Sequence, residues 1–308
     1  MKYLRILPFC VSLFLLVGAP ATANTQRIEA TYDFVWNGML VSTAETVTEL
    51  GEYAYSLTAE MRMRGMAKLF VGGGKTIFSA SGRVGKDGVL HPREYENTGN
   101  WKGNPYRESI RYDGTGNLEN LVNEWPQAWR DKNPREEVPA GLQSGHDPAA
   151  LLVELMRHPL ALENRTENAA PFVFKVFDGD TVVNWSIDCS ATPVFLEKSK
   201  HSAKSASAHE CSLSQHLIAG QRILTEKQKS NAKKKKRTRR PVKGRRRQKK
   251  TYDGPLKVWM QPVVGASHYW MPVQALVPSP KGIVHVYLKN LVMAEANSFK
   301  DAKQITSR

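Results

Sequence analysis

Over the first third of the chain apolar and polar residues alternate with a period of two, the spacing that places one set on a single face of a β-strand. Ile28, Ala30, Tyr32, Phe34 and Trp36 alternate with Glu29, Thr31 and Asp33. Tyr53, Tyr55, Leu57, Ala59, Met61 and Met63 repeat the pattern against Ala54, Ser56, Thr58, Glu60 and Arg62, and predict the best-defined strand of the protein. Further strands are predicted near Ile77 to Val84, Leu90 to Glu96 and Tyr106 to Asp113. Asn37-Gly38, Gly72 to Gly74, Gly85 to Gly88 and Gly114 to Gly116 fall between such segments. Glycine and asparagine accept the left-handed conformations of tight turns, so these read as turns. Sequential strands joined by short loops form an antiparallel meander.

The pattern then breaks. Glu124 to Ser144 contains three prolines and no sustained period, and reads as an irregular crossing segment. It leads into the one helix with clear start and stop signals. Asp147 is placed to accept backbone N–H bonds as N-cap, Pro148 fits the first helical position, and Ala149 to Met156 are good helix formers. Arg157 and His158 suit the C-terminal carbonyls, and Pro159 stops the ladder. Leu151, Leu152, Leu155 and Met156 form an apolar stripe. Phe172 to Phe177 and Thr181 to Ile187 read as strands joined through Asp178-Gly179, and Ala191 to Glu210, rich in Ser, Ala, Lys and His, as a solvated loop. Strands follow at Ser212 to Leu224, Leu256 to Val264, Tyr269 to Val277 and Gly282 to Met293, the third weakened by Pro272.

This order predicts a mainly β (α+β) protein: a curved antiparallel sheet or partly open barrel packed on one main helix, as a single β-rich domain over 24–308. One narrow helical stripe covers only part of such a sheet. The sheet must therefore curl, pack on a second sheet, or keep a concave apolar surface for something else. The strand faces from Ile28 to Trp36 and from Tyr53 to Met63 supply the candidate lining: Tyr32, Phe34, Trp36, Tyr53, Tyr55, Leu57, Met61 and Met63.

The N-terminus adds an address. Lys2 and Arg5, the apolar run Ile6 to Gly18 and Ala21-Thr22-Ala23 predict a cleaved signal peptide over 1–23, and hence an exported, periplasmic protein. Cys10 leaves with it, so Cys189 and Cys211 remain as the disulfide candidate, with two separate thiols as the alternative.

The formal charge of +15 sits in one place. Lys227 to Lys250 holds 15 Lys and Arg and no acidic residue. Pro241 and Gly244 break it, and it reads as a disordered, extended basic insertion whose Lys233, Lys234, Lys235, Lys236, Arg237, Arg239, Arg240, Arg245, Arg246 and Arg247 could attach to an anionic membrane or other polyanion. A tolerated insertion is the equal alternative. It has no interleaved aromatics for base stacking, so no specific nucleic-acid partner is expected.

Catalytic signals fail one by one. Gly72-Gly73-Gly74-Lys75-Thr76 lacks the earlier glycine of a phosphate loop, where Leu69 stands. There is no serine elbow and no H-E-x-x-H, and His201, His209 and His216 read as solvated loop residues. Asp178 and Asp180 are explained by a turn. Trp101, Trp125 and Trp129 either line a ligand site or pack the ends of the sheet, with packing favoured. The expectation is a non-enzymatic protein without metal or cofactor. Its partner is a lipid, lipoprotein or other envelope component or, in the alternative, an anionic surface met by the basic run.

Several short segments together resemble a family of bacterial exported proteins known as domain of unknown function 3108. They are Tyr32-Asp33-Phe34-Val35-Trp36-Asn37-Gly38, Tyr53-Ala54-Tyr55-Ser56-Leu57, Gly88-Val89-Leu90-His91-Pro92, Asp147-Pro148, Val176-Phe177-Asp178-Gly179, Met271-Pro272-Val273 and Pro280-Lys281-Gly282, with Cys211 before Ile218-Ala219-Gly220. The basic run departs from the family's pattern. The family's activity is not established, and its architecture looks similar to the periplasmic lipoprotein-carrier type, a curved sheet closing partway around a helix. That resemblance implies a concave apolar surface able to hold an acyl chain or a hydrophobic partner.

Overall fold

A computed structural model describes residues 25–65, 74–157, 170–202, 205–224, 255–263, 266–279 and 282–296. The segment 1–23 expected to be a signal peptide, the basic run with its candidate polyanion-binding residues, and the expected helix stop at His158 and Pro159 lie outside the described residues. The strands are β1 (Thr25–Trp36), β2 (Met39–Leu50), β3 (Ala54–Met63), β4 (Lys75–Val84), β5 (Leu90–Trp101), β6 (Asn104–Tyr112), β7 (Leu118–Glu124), β8 (Phe172–Phe177), β9 (Val182–Cys189), β10 (Val194–Leu196), β11 (Ala206–Ala219), β12 (Leu256–Val263), β13 (Ala266–Ser279) and β14 (Gly282–Ala296). Helix α1 is one short turn (Gln127–Arg130), and α2 (Pro148–Arg157) is the long helix; Ala140–Leu142 forms a 3₁₀ turn.

All strands join one curved, unclosed antiparallel sheet in the order β7-β6-β5-β4-β3-β2-β1-β14-β13-β12-β11-β9-β8, with β10 paired to β11. The expected mainly β architecture is what the chain forms. Two meanders run outward from the centre, where β1 pairs with β14 from Thr25 opposite Ala296 to Trp36 opposite Val284. The free edges are β7 and β8. The stretch between them carries α2, which packs on β13 and on β3, β4, β5 and β8.

Local chemistry explains the turns that set this order. Asn37 (φ 48°) and Gly38 (φ 78°) both adopt the left-handed conformation that a two-residue hairpin between β1 and β2 requires. At the β8–β9 turn Asp178 accepts bonds from the Asp180 and Thr181 amides and from the Thr181 hydroxyl, and Gly179 takes φ 92°. Pro272 is accommodated at an irregularity, where Trp259 and Met260 of β12 face Gln274 and Pro272 of β13 and Val273 is skipped.

Two strands are not named in the sequence pattern, and one expectation needs correction. Met39–Leu50 is a full strand although its inward positions, Ser42, Ala44, Thr46 and Thr48, are small or hydroxylic and give little hydropathy contrast. Leu118–Glu124 is also a strand, β7. The segment from Ala191 to Glu210 is not all loop: it contains β10 and the first turn-side residues of β11, where Ala206 and Ala208 are buried.

Helix α2 starts as the sequence requires. Asp147 Oδ1 accepts from the Ala149 and Ala150 amides at 2.8 Å each. The helix is buried on more than one stripe, however. Ala149, Ala150, Val153 and Met156 belong to the larger core with Ile28, Tyr55, Leu57 and Ile110. Leu151 joins a second core with Val176, Ile187, Met260 and Trp270. Full burial of a side chain such as Val153 or Met156 contributes about 1.5–3 kcal/mol, so the helix is held from both sides.

Candidate binding groove

Between the concave face of the sheet and α2 lies an apolar groove of about 410 Å³. Its floor comes from Tyr32 and Phe34 of β1, Ala44, Thr46 and Thr48 of β2, Ala59 and Met61 of β3, and Phe78 of β4. The opposite wall is Leu256 and Val258 of β12, Met271, Pro272, Gln274, Ala275 and Val277 of β13, and Val286 of β14; Leu152, Leu155 and Met156 of α2 complete it. The period of two along each strand turns these side chains to the inside. Many remain half-buried, including Phe34, Met61, Phe78, Leu152 and Val286, because the helix is too short to cover them.

The groove carries almost no directional chemistry. Thr46 spends its hydroxyl on the Ala30 carbonyl at 3.3 Å. Burial pushes the Tyr32 phenol far above its ordinary range, so it stays neutral. Such a surface selects by apolar area, at about 25 cal/mol per Å² removed from water.

The structure distributes the sequence-predicted lining unevenly. Tyr32, Phe34 and Met61 line the groove. Tyr55 and Leu57 are each 1 % exposed and pack in the core beneath α2. Tyr53 stands before β3 begins and is 57 % exposed, so it is no part of the concave face. Trp36 and Met63 are half-buried at strand ends, outside the groove. Sequence reasoning missed Phe78, the β2 positions and the wall from β12 to β14. It also treated Leu152 and Leu155 as covering the sheet, whereas both face the groove. Cys189 and Cys211 are joined, facing each other across β9 and β11. With Leu155, Phe174 and Met260 they enclose a small apolar cavity of about 20 Å³ behind the helix.

Polar groups concentrate around the start of α2. Asp147 is fully buried, and its carboxyl is pushed up to about 6, first by burial and against the bonds from the Ala150 and Ala149 amides. Its Oδ2 and the hydroxyls of Tyr55 and Tyr112 have no hydrogen-bond partner among the described residues. His146 meets Glu154 at 3.1 Å and sets its ring edge-on to Phe174. A carboxyl whose folded pKa lies above its ordinary 3.8 contributes stability that is fully present below 3.8 and lost as pH rises through about 6. Asp147→Asn keeps a good cap and removes the buried charge. It should raise stability at pH 7.5 by on the order of 2 kcal/mol and flatten the stability profile between pH 4 and 6, as thermal melts across that range will read.

A second, polar cleft of about 420 Å³ lies where β7 meets the β8–β9 turn and the crossing segment, lined by Leu121, Asn123, Trp129, Arg130, Asn133, Pro134, Arg135, Glu136, Glu137, Val138, Gln143, Gly179 and Asp180. Asn123 donates to Asp180 at 2.6 Å, which ties one free edge to the turn beside the other. Among the described residues no cluster of His, Cys, Asp and Glu is arranged to hold a metal ion, and no helix is long and apolar enough to cross a membrane. The chain matches no model of a known protein family, and no curated protein matches it in sequence.

Proposed function

We propose that this is an exported, non-enzymatic protein that binds a lipophilic component of the cell envelope, a lipid or the acyl part of a lipoprotein, in the groove between sheet and helix. The observation that carries the reading is the groove itself, about 410 Å³ lined almost wholly by apolar side chains that the fold leaves half-buried. At about 30 Å³ per methylene-sized group, it has room for roughly a dozen carbons of an extended chain. The Cys189–Cys211 disulfide supports an oxidising compartment. Native mass spectrometry of the purified protein tests the proposal. A co-purifying lipid, displaced by a fluorescent apolar dye at one saturable site, is the expected result. A protein with neither bound lipid nor a saturable dye site would sink it.

A second reading rests on the charge run alone. Fifteen basic residues over Lys227 to Lys250, with no acidic residue among them, favour attachment to an anionic surface. Deleting the run should abolish salt-sensitive binding to vesicles containing anionic lipid while dye binding in the groove persists. Unchanged vesicle binding would discard this reading.

A further inference from the structure

We propose that the polar cleft between β7 and the β8–β9 turn is a saccharide-binding site that grips a pyranose ring against Trp129. Three aromatic rings form a continuous stack there: Tyr106 on Trp125 with centroids 4.0 Å apart and planes 6° from parallel, and Trp125 on Trp129 at 4.2 Å and 20°. Both faces of Trp125 are therefore occupied. Trp129 ends the stack and lines the cleft.

The stack is fixed before any ligand arrives. Trp125 Nε1 donates to Glu108 at 2.5 Å, and the Tyr106 hydroxyl meets Thr76 Oγ1 at 3.2 Å. Arg130 donates to the carbonyls of Trp125 and Asn123 at 2.9 and 3.0 Å, which pins the turn that carries Trp129. On the far side Arg135 donates to the Gly220 carbonyl at 2.9 Å, and the Ile223 amide to the Pro134 carbonyl at 2.8 Å. A rigid aromatic face loses little freedom on binding, and this is the preorganisation a weakly held polar ligand needs.

The chemistry of the walls selects the ligand class. A pyranose offers an apolar C–H face and a rim of hydroxyls, each able to donate and accept. Trp129 suits the first, and planar amide, carboxylate and guanidinium groups suit the second. Asn123, Asp180 and Arg135 provide one of each type at the cleft. Asp180 is half-buried, with its carboxyl pushed up first by burial and then by the Asp178 charge and against the bond that its Oδ1 accepts from Asn123, so a ligand hydroxyl would be a further donor to a partly desolvated carboxylate. Glu136, Glu137 and Asp180 outnumber Arg130 and Arg135, so the cleft has no positive excess to select an anion. Its volume, about 420 Å³, falls in the range of small-molecule sites and fits about one or two sugar rings.

Isothermal titration of the whole mature chain with maltotriose and with the N-acetylglucosamine trimer, followed in parallel by tryptophan fluorescence, tests this. Saturable binding of at least one probe with a tryptophan signal is expected. Trp129→Ala should weaken it roughly tenfold, Trp129→Phe by no more than about threefold, and Asp180→Asn by about fivefold, while dye binding in the groove is unchanged. No saturable heat with either probe overturns the proposal, as does wild-type affinity in Trp129→Ala. Should Trp129→Ala fail to fold, wild-type affinity in Asp180→Asn is the overturning result.

Discussion

Replacing Leu152 by glutamate should abolish ligand binding in the groove while leaving the fold in place. Leu152 is half-buried on α2, packed against the edge of the larger core, and lines the groove together with Phe34, Met61 and Val286. Glutamate is nearly as good a helix former as leucine, and in the free protein its carboxylate can stay in water. A bound acyl chain or dye would strip that water away with no cation in the lining to replace it, and only the side chains of Tyr32, Thr46, Thr48 and Gln274 as donors along its walls. The cost of leaving a carboxylate unpaired on an apolar wall is several kcal/mol, so dye affinity should fall at least about a hundredfold at pH 7.5. Leu152→Ala removes only apolar area and should cost about threefold to tenfold. Acid separates the two variants further, because protonating the introduced carboxyl removes most of its desolvation cost: binding by Leu152→Glu should recover in part near pH 4, and that by Leu152→Ala should not change. Fluorescence titration with N-phenyl-1-naphthylamine reads all of this. Dye affinity in Leu152→Glu within threefold of wild type would mean the groove is not the binding surface.

What the sequence could and could not reveal follows from the range of each signal. The period of two along β1 and β3, the Asn37-Gly38 and Asp178-Gly179 turns and the Asp147-Pro148 helix start depend on neighbours within a few residues, and all are formed. Tyr53 fails for the same reason: the alternation runs one residue past the point where pairing begins, and nothing local marks that boundary. The groove is different. Its two walls meet only because β1 pairs with β14, placing Tyr32 beside Leu288 and Phe34 beside Val286, a juxtaposition of chain ends that no local pattern encodes. The strands of the far wall were legible as strands, but not which strand faces they would oppose. The tryptophans lie in between. Trp125 and Trp129, four residues apart across a short helical turn, were visible as candidates, yet their stacking on Tyr106 depends on β6 lying next to β7.

The disulfide should carry the largest single share of stability that can be removed without disturbing the groove's lining. Cys189 and Cys211 are paired residues of β9 and β11, buried in the second core and 22 residues apart in sequence. The two strands are already held by their ladder, so in the folded state the bond adds little that the ladder does not supply. Its effect lies in the denatured chain, which it forbids to open a loop of that length; the loop-closure relation puts this at about 3 kcal/mol. The double variant Cys189→Ala/Cys211→Ala should therefore melt about 6–12 °C lower, taking about 2–4 °C per kcal/mol for a chain of this size. It also enlarges the cavity of about 20 Å³ that the two sulfurs share with Leu155, which adds to the loss. A reducing agent should lower the melting temperature of the native protein by a similar amount and leave the double variant unaffected. A native protein whose melting temperature moves by less than about 2 °C on full reduction would contradict the argument. Leu155 connects this region to the groove, since it lines both the small cavity and the wall above it. Dye affinity in the reduced protein should then fall by a few-fold at most, far less than in Leu152→Glu, because the wall loses support behind Leu155 while its own apolar surface stays intact.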